Sequence, residues 1–393
     1  MANRLQQAFW RTDADDSRIL DQLTAAIAGG DLPSAVWDAH SKPVDERNKT
    51  PLPLFDPRWL DSGTGAMRVE NPYYIERDLD RKAKQAITRA GETILIRGSR
   101  QSGKSSALAR ICRHAKANGQ QTLVVDFQGV DRSRLQDLDS VLRYLADLIF
   151  LKLKTPEGPD RYWKSALGPS DQFTEFLESE VLGHTKSPFV FALDEVDRIF
   201  GYPAYASEFF GFLRSWHNKR AFDETWNNLN LVLVYSTESS LLITDQNQSP
   251  FNVGELLESA DFTTEQVIEL NQRHGSPLHE GEIELLMSVV SGHPYLVRKA
   301  LFELVTNQRT FAGLRSCAAD DDGPFSDHLQ RNLVWFARHA ELKSAFKSLL
   351  QTGVCDTDLN FYSLRAAGLV RGHSRQSAQP RCGLYRWYFA ERL

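Results

Sequence analysis

Thr93-Ile94-Leu95-Ile96-Arg97-Gly98-Ser99-Arg100-Gln101-Ser102-Gly103-Lys104-Ser105-Ser106 decides how the rest of the chain is read. A short apolar run leads into a loop that carries G-x-x-x-x-G-K-[ST] at every fixed position. The glycines permit a tight turn whose backbone N–H groups converge on anionic oxygens. From Ser106 to Asn118, Ala107, Leu108, Ile111 and Ala115 recur at helical spacing, and Gly119 supplies a stop. Strand, loop and helix together predict a phosphate cradle with a helix N-terminus aimed into it. Residues Gly98 to Ser106 are its binding residues. Lys104 reaches toward the β- and γ-phosphates of a nucleoside triphosphate, and the Ser105 hydroxyl is a ligand for Mg²⁺.

Working outward, Gln121–Gln128 reads as a buried strand, Leu135–Leu153 as mainly helical and Asp171–Leu182 as a helix. Phe189-Val-Phe-Ala-Leu-Asp194-Glu195 is a continuous apolar run ending in paired acids. That is the pattern of a central parallel strand with carboxylates at the ligand-binding edge. Asp194 is the expected Mg²⁺ ligand, and Glu195 the general base that activates water. Phe209–Lys219 is a helix with an aromatic face. Asn230–Val234 is a further buried strand ending at Ser236-Thr237, either of which can bond the γ-phosphate or the water. Upstream, Asn71-Pro-Tyr-Tyr-Ile-Glu-Arg77 precedes a helix over Asp78–Ala90, and Tyr73, Tyr74 or Ile75 can pack on a base. Val253–Leu257 is read as the last strand. This alternation predicts an α/β fold built on a parallel sheet.

From Thr263 the pattern is helical. Thr263-Thr-Glu-Gln266 is a capping box for a helix to Arg273; Glu280–Val290 and Pro294–Asn307 follow. Gly313–Pro324 reads as a solvated connector, and Ser326–Leu393 as two or three helices, then a strand over Leu384–Phe389. From Glu341 onward eight Lys or Arg stand against four acids, a net of +4 in a chain whose formal charge is -5. Residues 1–66 differ: one amphipathic helix over 16–28, then a proline-rich stretch with aromatics. This arm either packs on the body or docks on a partner. The 393 residues are 41% hydrophobic and 25% charged, the composition of a soluble globular chain. Four dispersed cysteines and no signal-like start suit a reducing, cytoplasmic setting. No apolar run approaches the ~20 residues of a membrane span.

With these motifs placed, the chain resembles the STAND class of P-loop ATPases, and more narrowly the bacterial AAA-like domain family. The resemblance rests on NPYYIER (71–77), GSRQSGKSS (98–106), FALDEVDRIF (191–200), FFGFLRSWHN (209–218), NQSPFNVG (247–254), GHPYLVR (292–298) and SDHLQRNL (326–333). It implies an ASCE-type α/β domain over 67–262, a helical lid over 263–312 and a winged-helix domain over 313–393. It also implies that Ile75 and Arg77 line the adenine side and that Pro294 closes over it. His293 or Arg298 would reach the phosphates. Relatives often carry an arginine just after the polar strand end; Ser236-Thr237-Glu238 lacks one, so either Arg214, Arg220 or a neighbouring subunit supplies the charge, or γ-phosphate sensing is weak. ATP or ADP with Mg²⁺ is then the expected ligand, with slow hydrolysis coupled to self-assembly or to a partner protein, in bacterial defence by analogy. A DNA-binding loader ATPase that uses the basic tail is the alternative.

Overall fold

The computed structural model describes residues 55–63, 65–164, 166–185, 187–236 and 250–393. The helix expected over 16–28 and the candidate Thr237 lie outside the described residues. Those described fall within one compact unit, Pro53–Leu393.

Helix α1 (Asp78–Ile87) leads to β1 (Thr93–Arg97), which feeds the glycine-bearing loop and α2 (Lys104–Ala117). Then come β2 (Thr122–Asp126), α3 (Leu138–Leu153) and α4 (Pro169–Phe176), the last extended by a wider π turn over Leu177–Leu182. β3 (Phe189–Asp194), α5 (Ala206–Lys219), β4 (Leu229–Tyr235) and β5 (Glu255–Glu258) complete the α/β part. The strands lie in the order β2-β3-β4-β1-β5, and every neighbouring pair is parallel. β3 and β4 are buried along their whole length, which is why their sequences are uninterrupted apolar runs. Because β4 sits between β1 and β3, the loop, the paired acids and Ser236 meet at one edge.

The remainder is helical: α6 (Thr264–Arg273), α7 (Glu280–Val290), α8 (Pro294–Thr306), α9 (Phe311–Ser316), α10 (Ser326–Arg338), α11 (Ala340–Thr352) and α12 (Asp358–Ala366). A two-stranded antiparallel ribbon of β6 (Val370–Arg371) and β7 (Gln379–Pro380) precedes α13 (Gly383–Arg392). Thr263 caps α6 through the expected box. These helices share one apolar core with Met67 and Tyr73–Ile75, unbroken across 312/313, whereas the two faces of the sheet have separate cores.

Two readings of the sequence are corrected. Leu384–Phe389 is part of helix α13, not a strand: Leu384, Tyr385, Tyr388 and Phe389 are all buried, at helical spacing. Their aromatic content suggests β-structure, but packing decides. Nor is 313–324 a solvated connector throughout. α9 enters it, Leu314 and Ala318 are buried, and Asp321 accepts from the Tyr388 hydroxyl at 3.0 Å. Residues at the end of the expected arm pack on the body as well. Trp59 and Leu60 lie against the helical core, and the Tyr73 hydroxyl donates to the Asp56 carbonyl at 2.9 Å.

Candidate active site

The loop after β1 is set by close approach. A Cβ on Gly98 would lie 2.7 Å from both Ser102 Oγ and Ser259 Cβ, so only glycine fits. Gly103, at φ +90°, starts α2 from the left-handed region, and Gln101 at φ 61° bends the loop. Arg77 braces this turn from behind. Its guanidinium donates to the Ser102 carbonyl at 2.6 Å, to Ser259 Oγ at 3.1 Å and to the Ala260 carbonyl at 3.2 Å. Its charge is therefore committed to the loop and not to a base.

Lys104 is buried and donates through Nζ to Ser236 Oγ at 2.8 Å and to the Ser99 carbonyl at 3.1 Å, with Glu195 Oε1 at 4.0 Å. Burial depresses its pKa, opposed by the fields of Glu195, Asp197 and Asp194. Glu195 holds a left-handed conformation (φ 51°), and its N–H donates to its neighbour Asp194 at 3.0 Å. Burial raises the pKa of both carboxyls; for Asp194 the Ser105 hydroxyl, which bonds it, pulls the other way. Ser105 and Asp194 thus present hard oxygen donors side by side, a set that fits Mg²⁺. Asp197 accepts from the Ser236 N–H at 3.0 Å and ties the end of β4 to the acids.

On the other side of the loop, Ile75 is buried and lines the cleft together with Tyr73, Tyr74 and Pro294. Tyr74 is held rigidly: Arg110 lies 3.4 Å from its ring centroid, and its hydroxyl donates to Asp80 at 2.5 Å. Ser106 Oγ accepts from the Met67 N–H at 2.9 Å, which draws this segment against α2.

The helical part closes the cleft, whose volume is about 1050 Å³. His293 is fully buried at its wall, and neither ring nitrogen has a hydrogen-bond partner among the described residues. Desolvation holds it neutral, with a pKa well below the usual histidine value. His328 bridges Gln101 Oε1 and the Tyr385 hydroxyl, each at 2.6 Å. Arg381 pairs with Asp261 and donates to Ser99 Oγ at 2.5 Å. Gly368, at φ +77°, abuts the same serine: a Cβ there would stand 2.6 Å from Ser99 Cβ. Arg298 also lines the cleft but is paired with Asp61 at 2.5 Å.

Most sequence candidates therefore converge: Tyr74, Ile75, Arg77, Arg100 to Ser106, Glu195, His293, Pro294 and Arg298 line one cleft, with Gly98, Ser99 and Asp194 directly behind its surface. Arg214 does not join them; it lines a separate surface depression with Ser170, Asp171 and Glu208. Arg220 donates to Thr93 Oγ1 at 2.6 Å, at the end of β1 remote from the loop. Sequence reasoning missed His328, Arg381, Asp261 and Gly368. Only His328 carried a signal, by lying inside the SDHLQRNL stretch.

The family model described as an AAA-like domain matches residues 62–391. Among curated proteins, an uncharacterized WD repeat-containing protein of Synechocystis sp. is 26% identical over 242 residues, 60% of this chain. The chain spans 20% of that protein's length in the match. Among solved structures, a Walker-type ATPase of Pyrococcus abyssi aligns with a TM-score of 0.55 at 15% identity, covering 80% of this chain and 96% of that one. The Aeropyrum pernix ORC2 protein aligns with a TM-score of 0.47 at 14% identity, covering 86% and 97%. No helix among the described residues is long and apolar enough to cross a membrane.

Proposed function

The chain belongs to the AAA-like domain family, and from that premise and the cleft we propose that it is an ATP-binding, slowly ATP-hydrolysing switch of the STAND type. The division proposed is a nucleotide domain over 67–262, a lid over 263–312 and a winged-helix-like domain over 313–393. The observation that carries the reading is the direct seating of the C-terminal part on the phosphate loop, through Arg381 on Ser99 and His328 on Gln101. A loop that reshapes around phosphates must then move, or be held by, the helices that touch it.

In this mechanism Lys104 and the loop N–H groups neutralise the phosphates, and Ile75 with Pro294 encloses the base. Ser105 and Asp194 would hold Mg²⁺, which would supply positive charge to offset that of the phosphates. Glu195 accepts a proton from the attacking water; Ser236, or Thr237, orients that water or the γ-phosphate. His293, neutral and with neither nitrogen bonded, offers its one N–H to an anion when the helical wall is closed. The trigger is placed in a partner module, in keeping with the WD repeats named for the Synechocystis relative. A DNA-loading role is not better supported; Leu359, Asn360 and Ser363 of α12 line the cleft.

The test is phosphate release and nucleotide affinity of the full chain with Mg-ATP, beside its assembly state with ADP and with ATP. Lys104→Ala is expected to lose nucleotide binding. Glu195→Gln is expected to bind ATP, lose turnover by ~10²–10³-fold and accumulate the ATP form. A Lys104→Ala protein with undiminished ATP affinity overturns the reading.

A further inference from the structure

Resting on the ATPase reading above, we propose that Arg100 is the catalytic arginine of this chain, contacting the γ-phosphate in cis from within the phosphate loop itself. Five arginines line the cleft: Arg77, Arg100, Arg298, Arg331 and Arg381. Four are committed. Arg77 holds the loop carbonyls, Arg298 pairs with Asp61, Arg381 pairs with Asp261, and Arg331 donates to the Asp327 carbonyl of its own helix at 3.0 Å. Arg100 is exposed at the cleft and has no hydrogen bond or ion pair among the described residues.

Its backbone, by contrast, is fixed on both sides. Ser99 is held by Arg381, and Gln101, at φ 61°, is held by His328. A pinned backbone carrying a free guanidinium is the arrangement required of a group that must find its acceptor only when the phosphate chain is present. The position is also right electrostatically. The Arg100 charge lies within electrostatic reach of both Lys104 and Glu195, the two groups that flank the γ-phosphate in the proposed mechanism. A guanidinium matches the phosphoryl oxygens with a planar fork, which the hydroxyls of Ser236 and Thr237 cannot do.

In the step served, water oxygen bonds to the γ-phosphorus and its proton passes to Glu195. The bond from that phosphorus to the β,γ-bridging oxygen breaks, and its electron pair leaves with ADP. Inorganic phosphate is the other product. Arg100 N–H groups stabilise the charge spread over the γ-oxygens as this happens. No exposed arginine from a second subunit is required.

The experiment uses the full chain with Mg-ATP. Wild-type phosphate release is measured first; its absence overturns the ATPase reading and this inference with it. Given wild-type turnover, Arg100→Ala is expected to lower kcat by ~10²–10³-fold. Its Kd for Mg-ADP, which has no γ-phosphate, stays within about threefold, showing that the loop is intact. Arg100→Ala mixed with Glu195→Gln chains is expected to recover no turnover, because the defect is within each chain. A kcat within threefold of wild type in Arg100→Ala overturns the inference. So does recovery of turnover in the mixture, which would place the working arginine in trans.

Discussion

Arg381→Ala tests whether the C-terminal part is fastened to the phosphate loop as the contacts indicate. Arg381 is buried, its Nε donates to Asp261 at 3.2 Å with a second nitrogen on the other carboxylate oxygen, and its third donates to Ser99 Oγ at 2.5 Å. Removing one partner of a buried ion pair costs about 3–5 kcal/mol. Asp261 keeps 32% of its side chain exposed, so water recovers part of that, and about 2–3 kcal/mol remains. For a unit of this size that is a fall in Tm of roughly 3–4 °C. Loss of the charged bond to Ser99, about 1.5 kcal/mol, should also speed release of bound ADP by ~10-fold. The assays are thermal melting with and without Mg-ADP, and displacement of a fluorescent ADP from the preformed complex. A double-mutant cycle with Asp261→Ala should return a coupling of about 1–3 kcal/mol. An Arg381→Ala protein that melts within 1 °C of wild type and exchanges ADP at the wild-type rate, each good to about the resolution of such assays, would refute the reasoning.

Gly368→Ala attacks the same seat from the other side. A left-handed backbone and a Cβ 2.6 Å from Ser99 Cβ should cost about 1–3 kcal/mol and likewise accelerate ADP exchange, read in the same displacement assay. The pH dependence follows from Glu195. Burial raises its pKa above the ordinary 4.5, and only its ionised form accepts a proton, so the acid limb of kcat should lie above that value and vanish in the residual activity of Glu195→Gln. The same raised pKa means that the native state binds more protons than the unfolded chain between the ordinary and the raised value. Apo stability is therefore fully present below that window and declines as pH rises through it. Asp194, raised likewise, adds a decline of the same sign, so Glu195→Gln should reduce the decline without abolishing it, and melting curves across pH check it.

How much of this was legible in the sequence depends on how far apart the interacting residues are. The strand–loop–helix around Lys104 is legible from its own glycine spacing, although Gly98 also abuts the distant Ser259 and Gly103 abuts Arg77. It could therefore be read directly, as could β3 and β4, whose full burial leaves an uninterrupted apolar signature. Glu195 and Asp194 were legible because a strand end is also a local feature. The seat of the C-terminal part was not. Arg381 and Ser99 are 282 residues apart and His328 and Gln101 are 227 apart, and nothing in either neighbourhood names its partner. Arg381 was counted only as one of a basic excess. Arg214 failed for the opposite reason. Its helix was read correctly, but which side of the sheet that helix covers is not a local property, and it faces away from the cleft. α13 failed because aromatic residues serve a helix–helix interface as readily as a strand.

The placement of the apolar cores bears on what can move in the proposed switch. Met67 and Tyr73–Ile75 share a core with α6 to α13, while the two sheet faces are packed independently. Separating residues 263–312 from residues 313–393 would expose that common core, which includes Phe325, Phe336, Phe346 and Phe389, all fully buried. Parting the helical body from the sheet instead breaks a short polar seam: Arg381 on Ser99 and His328 on Gln101. Polar bonds exchanged for water cost far less than apolar area of that extent. The seam is therefore where opening is cheapest, and two of its contacts, Ser99 and Gln101, belong to the loop that would grip the phosphates. Binding at the loop and opening of the body thus act on the same two residues, which is the condition for one to control the other.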